Sequence, residues 1–222
     1  MALQPVNLFG INLHADSYAL ACENRLNCFY DIRKNDTGDT IAVIGTPGSY
    51  TLVPDPTKVA VAMHVVNNIL YWIAQDGTGL WSIDTDGNVT FCAGGPTGSP
   101  YAQMADCYTQ IFIIAGSGNW VYDIATATMT LVTDTNCPSN CTSVCFISGR
   151  FVVNKRNTRE FYCSAALDGL TWTYLGSLPM FGTKEQASDP LFMVSSQNGV
   201  LALMGNASIE FWQDAGLTPV PF

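Results

Sequence analysis

The 222 residues are 48% hydrophobic and only 12% charged, which excludes the charge-rich, aromatic-poor composition of a disordered chain. A net charge of −9, with nine lysines and arginines in all, also excludes the basic stripe of a sequence-specific DNA binder. Nineteen glycines and eleven prolines fit an architecture that turns often.

In chain order, Met1-Ala-Leu-Gln-Pro-Val-Asn7 lacks the basic start and apolar run of a secretory signal. Synthesis in a cytoplasm is therefore expected, and the eight cysteines read as reduced thiols rather than a disulfide framework. Residues 1–58 contain the apolar run Ile41-Ala-Val-Ile44 before Gly45-Thr-Pro-Gly48, and are expected to form an extended segment or a first repeat unit. The longest apolar stretch, Val59 to Ala74, is interrupted by His64, Asn67 and Asn68 and is too short for a membrane span.

From residue 59 to residue 222 the chain repeats itself. The pairs Leu80-Trp81, Val121-Tyr122, Phe161-Tyr162 and Phe211-Trp212 recur at spacings of 41, 40 and 50 residues. Each follows an apolar strand start, namely Leu70-Tyr71, Ile111-Phe112, Phe151-Val152 and Val200-Leu201, across a polar turn. Outer strands follow at Val89-Thr-Phe-Cys92 and Met129-Thr-Leu-Val132, and preceding strands at Ala60 to Val66 and Ser143 to Ile147. A period of about 40 to 50 residues with four short strands predicts an all-β fold, a β-propeller of four-stranded antiparallel blades. Four units are clear in 59–222, with a fifth or an extended arm in 1–58. One blade cannot bury both of its faces alone, so the blades must stack.

Several clusters invite a chemical reading. Cys137, Cys141 and Cys145 have zinc-like spacing, but the histidines, His14 and His64, are remote in sequence and the segment reads as a loop entering a strand. Asp84-Thr-Asp-Gly-Asn88 has its glycine fourth, where a calcium loop wants it sixth, and reads as a hairpin turn. Ser164-Ala-Ala-Leu-Asp168-Gly-Leu-Thr-Trp172 resembles the Asp-box turn of sialidase-type propellers, which is itself structural. Glu210 and Asp106 are carboxylates that would act as acid or base only if a pocket gathered them. Lys155-Arg-Asn-Thr-Arg159 reads as a solvated turn. No catalytic, cofactor-binding or metal-binding residue is assigned, and no cofactor is expected.

The order of the motifs resembles that of the tail nozzle proteins of short-tailed bacteriophages, also called tail hub or packaged-DNA stabilisation proteins. The stretches that carry the resemblance begin with Asn24-Arg-Leu-Asn-Cys-Phe-Tyr30, Gly45 to Gly48 and Met104-Ala-Asp106. They continue with Gly149-Arg-Phe-Val-Val-Asn154, Phe161 to Ser164, and Gly205 to Gly216 leading to Pro221-Phe222. Where the family has Asp-Asn-Gly after Met-Ala, this chain has Asp106-Cys107-Tyr108, so that turn is expected to differ.

The resemblance implies a β-propeller subunit of the virion tail, six copies of which form a ring below the portal and adaptor. The ring continues the DNA channel and helps retain packaged DNA. Its implied partners are the adaptor, the tail fibre or spike, the needle, and double-stranded DNA passing without sequence-specific binding. Assembly in the host cytoplasm is implied, and no catalytic residue carries over, so a non-enzymatic role is expected. The family's chains run beyond the Pro-Phe pair, so either a small propeller or an incomplete ring is expected in this chain. The rival is a carbohydrate-binding or glycosidase-type propeller, motivated by Trp72, Trp81, Trp120, Trp172 and Trp212 and by the Asp-box-like turn.

Overall fold

The computed structural model describes residues 28–35, 38–45, 59–75, 77–96, 102–116, 118–186 and 188–222, with 28–45 as backbone. The chain divides into two compact units, 1–52 and 53–222. In the first, β1 (Cys28–Asn35) and β2 (Gly38–Gly45) pair as an antiparallel hairpin, from Cys28 opposite Gly45 to Asn35 opposite Gly38. The apolar run 41–44 lies within β2. His14, residues 24–27 and residues 46–48 fall outside the described residues.

The second unit is a four-bladed β-propeller without a helix among the described residues. Blade 1 comprises β3 (Ala60–Val66), β4 (Ile69–Ala74), β5 (Leu80–Ile83) and β6 (Val89–Ala93), paired in that order. Blade 2 repeats the pattern with β7 (Gln103–Asp106), β8 (Gln110–Ala115), β9 (Gly118–Asp123) and β10 (Thr128–Leu131). Blade 3 begins with β11 (Val144–Ile147), β12 (Arg150–Asn154) and β13 (Glu160–Cys163). A small hairpin, β14 (Thr173–Tyr174) with β15 (Leu178–Pro179), then intervenes before β16 (Phe181–Thr183) joins as the fourth strand. That insertion accounts for the longer final spacing between the aromatic pairs. Among the described residues blade 4 has three strands, β17 (Leu191–Gln197), β18 (Val200–Gly205) and β19 (Ile209–Gln213).

The innermost turn explains why the units fold alike. Asn67-Asn68, Ser148-Gly149 and Asn198-Gly199 each place two successive residues at positive φ, between 51° and 75°. This is the two-residue hairpin turn whose twist matches that of its strands, and Asn and Gly tolerate it best. Blade 2 departs from it. Its turn runs over Cys107 to Thr109, with Tyr108 at φ 69° and its N–H donating to Asp106 Oδ1 at 2.9 Å.

Alternation along each strand gives each blade two apolar faces, and adjacent blades stack through them. Between blades 1 and 2, Tyr71, Ile73 and Leu80 meet Ile111, Ile113 and Tyr122. Between blades 2 and 3, Phe112 packs on Phe151 and Trp172 at ring-centroid distances of 5.4 and 5.5 Å. Between blades 3 and 4, Val152 and Phe161 meet Val194, Leu201 and Leu203, with Trp212 edge-on to Phe161 at 5.7 Å. The inner strands are neighbours in the order β3, β7, β11, β17. Among the described residues no such core joins blade 4 to blade 1.

Candidate functional site

Stacked blades place their first strands around an axis, and the axial concavity is where a propeller presents its chemistry. At the far ends of the inner strands a cavity of about 540 Å³ is lined by His64, Asp106, Tyr108, Phe146 and Ser195, among others. At the strand starts a second, of about 610 Å³, is lined by Gln103, Ser143, Arg156, Asn157, Phe192 and Asn206. Both are wide, and both are bounded by residues contributed by successive blades.

The closest polar contact at the axis joins blades 1 and 2. His64 Nε2 lies 2.6 Å from Asp106 Oδ2, both side chains being largely buried. The Asn67 amide, also from blade 1, donates to the Tyr108 carbonyl at 3.1 Å. Asp106 is thus the last residue of β7 and pairs with a histidine 42 positions earlier. The other carboxylate singled out, Glu210, lies on β19 and accepts the backbone N–H groups of Glu185 and Gln186 at 2.9 Å each. Burial works to raise its pKa, but these hydrogen bonds outweigh it and hold it below the usual carboxylate range. The two carboxylates are engaged in separate blades and are not brought together.

The cysteine triplet also divides. Cys137 Sγ accepts from Asn119 Nδ2 at 3.3 Å, and Cys141 Sγ donates to Asn119 Oδ1 at 3.0 Å, so one buried amide ties both thiols to blade 2. Cys145 belongs to the core on the other side of blade 3. Burial pushes the thiol of Cys141 up to about 11 and those of Cys145 and Cys163 up to about 12. The six described cysteines are free thiols.

The two motif-like turns serve the fold. Asp84 Oδ1 accepts the N–H groups of Asp86 and Asn88, at 2.9 and 2.8 Å, and Gly87 takes φ 87°. In the Asp-box-like segment, Asp168 Oδ1 accepts the Leu170 N–H at 2.9 Å, and Ser164 Oγ accepts the Phe151 N–H at 3.0 Å. Trp172, wholly buried, donates to the Gly169 carbonyl at 2.8 Å. The Lys155 to Arg159 cluster forms the turn from β12 to β13, with Lys155 Nζ on Glu160 Oε2 at 2.7 Å. Of the tryptophans expected as sugar platforms, Trp72 and Trp172 are buried, Trp81 stacks on Trp72 and meets Phe91 edge-on within blade 1, and Trp212 packs on Phe161.

One polar group escapes sequence reasoning. Lys184, at 0% exposure, contacts Asp189 Oδ2 at 2.8 Å and Ser208 Oγ at 2.5 Å, with Glu210 Oε1 at 3.8 Å. Asp189 in turn accepts the N–H groups of Asn206, Ala207 and Ser208 at 2.7, 3.2 and 2.9 Å. The Lys184 ammonium first, then the Ser208 hydroxyl, holds the Asp189 carboxyl well below the usual range. Gly205 lies so close to this carboxylate that any Cβ there would overlap it. The cluster clamps the β18–β19 turn of blade 4 to the last strand of blade 3. A lysine in Thr183-Lys-Glu-Gln186 reads locally as solvated, so only the blade packing reveals it.

Fold and site together define a four-bladed β-propeller whose conspicuous polar groups serve blade geometry. The family described as bacteriophage P22 Gp10, beta-propeller, matches residues 24–222, and the chain belongs to that family of phage tail-stabilising structural proteins. A search of curated proteins gives no match. Among solved structures, the computationally designed Ika4 protein is 15% identical with a TM-score of 0.51, over 75% of this chain and 99% of that one. BamB from Moraxella catarrhalis is 14% identical with a TM-score of 0.51, over 68% of this chain and 42% of that one. The extracellular domain of the one-component system BT4673 from B. thetaiotaomicron is 11% identical with a TM-score of 0.53, over 86% and 27%. At these identities the likeness concerns the fold. Among the described residues no helix is long and apolar enough to cross a membrane.

Proposed function

We propose that this protein is a subunit of the tail nozzle, assembling as a homo-hexamer below the portal and adaptor. In that place it forms part of the DNA channel and helps retain packaged DNA. The observation that carries the reading is the family match across residues 24–222, joined to a propeller made of the blades that the repeat foretells. The role is non-enzymatic: Asp84, Asp168, Asp189 and Glu210 are each spent on backbone amides within the fold. Its partners are the adaptor, a tail fibre or spike and a needle, and it is assembled in the host cytoplasm. A net charge of −9 suits a channel wall from which DNA phosphates are repelled rather than held. Gold labelling with an antibody to this chain, followed by image reconstruction of the parent particle, tests the reading. Label and density at the distal end of the head–tail connector are expected. Label confined to the capsid shell or the fibres, or its absence from particles, overturns it.

A further inference from the structure

The cavity of about 610 Å³ at the starts of the inner strands is lined in part by polar side chains that the fold does not spend. Arg156, in the β12–β13 turn, is exposed at this cavity, and its guanidinium has no partner among the described residues. The other described cations of the propeller are engaged. Arg150 donates to the Ser164 carbonyl and Arg159 to the Lys184 carbonyl, while Lys155 meets Glu160 and Lys184 meets Asp189. Asn157 and Asn206, both exposed, share the lining, and among the described residues no carboxylate does.

An aromatic ring joins them. β17 pairs Leu191 with Gly205 and then Met193 with Met204, so Phe192 is the extra residue of a bulge, a device that re-aims a side chain. Its carbonyl accepts from Asn154 Nδ2 at 3.0 Å and from Thr142 Oγ1 at 3.4 Å, and Asn154 is wholly buried. The backbone is thereby fixed while the ring, 68% exposed, lines the cavity. Arg156 and Asn206 are held in the same manner. The Arg156 N–H and carbonyl both pair with Asn140, and the Asn206 N–H donates to Asp189 at 2.7 Å. Fixed backbones carrying unspent side chains make a preorganised site.

We propose that this cavity binds an acidic saccharide, a pyranose bearing one carboxylate. The axial C–H groups of a pyranose form an apolar face, which the Phe192 ring can meet. Its hydroxyls both donate and accept, as do the primary amides of Asn157 and Asn206. The Arg156 guanidinium is a fork that matches a carboxylate. A nucleotide would also bring a ring and an anion, but its phosphate carries about two negative charges against one guanidinium, in a chain already at −9. The cavity's size suits a small-molecule site. The proposal rests on these residues and not on the tail assignment.

Saturation-transfer NMR on the full chain tests it, with methyl β-D-glucuronide as probe. A dissociation constant of about a millimolar is expected for so small a ligand. Neutral methyl β-D-glucoside and acetate, each offering half of the recognition, should bind about tenfold more weakly or worse. Arg156→Gln should erase the preference for the acid over the neutral sugar, and Phe192→Ala should weaken both sugars alike. Both side chains are exposed, so circular dichroism should be unchanged; if Phe192→Ala fails to fold, the Arg156→Gln result decides alone. No glucuronide signal at several times the expected constant overturns the proposal and leaves the tail assignment standing. So does a preference for the acid that survives Arg156→Gln, which puts the sugar elsewhere, or tighter binding of thymidine monophosphate, which makes the site one for phosphate.

Discussion

Single side chains set the cost of failure in this fold. Trp172 fills the space between blades 2 and 3 at 0% exposure, against Phe112 and Phe151. Trp172→Ala should cost about 3–5 kcal/mol in urea unfolding, since the cavity cannot collapse without moving a blade. Acid should act through the clamped carboxylates. Asp189, Asp134 and Glu210 are all held below their ordinary values in the folded chain. For Asp134 burial opposes the shift, but the Asn136 and Trp172 N–H groups and the Thr173 hydroxyl outweigh it. A carboxylate whose folded pKa is depressed contributes stability above its unfolded pKa and loses it as pH falls toward the folded one. The urea midpoint should therefore stay level down to about pH 4, where free carboxylates begin to protonate, and fall progressively below it. Asp189→Asn should flatten that acid limb, and a limb unchanged by it would count against the clamp. The thiols add a simpler test. Cys145 and Cys163 should resist iodoacetamide at about pH 8 until denaturant is added, as mass spectrometry would show.

At the level of strands and turns, the stitch between blades 3 and 4 is local and specific. Ser143 Oγ accepts the Val194 N–H and donates to the Val194 carbonyl, each at 2.9 Å. Ser143→Ala orphans both groups in a buried place and should cost about 1–3 kcal/mol. Hydrogen exchange should then rise in β17 before it rises in blades 1 and 2. Gly182 lies opposite Phe161 in the β13–β16 pairing, and a Cβ there would overlap the ring. Gly182→Val should therefore loosen β16 while leaving β11 to β13 paired, a difference that exchange by fragment can read.

The strands of these blades were legible because each is written locally. Ala60–Val66 is the predicted strand to the residue, and β6 and β10 differ from expectation by a residue at most at either end. The β14–β15 hairpin was not legible, because two-residue strands leave no periodic pattern. Nor were the His64–Asp106 and Lys184–Asp189 pairs. Each depends on how one element lies against another, and no alternation of apolar residues along a strand encodes that.

For the whole molecule, the charge balance decides how the proposed channel wall would meet DNA. At a net charge of −9, a subunit lining such a channel should repel phosphates rather than hold them. Filter binding to linear duplex DNA should show no retention at physiological salt, and none at lower salt, where a basic surface would bind more tightly. Retention that strengthens as salt is lowered would contradict a non-adhesive wall.

The lysine sealed between blades 3 and 4 also makes the molecule self-reporting. An amine-directed acylating reagent reaches the half-exposed Lys155 in the native state, but it can reach Lys184 only while the last blade has swung away. The rate at which that one amine is acylated therefore times the detachment of blade 4. Followed in the free chain and then in the assembled particle, it would show whether incorporation locks a blade that breathes in solution.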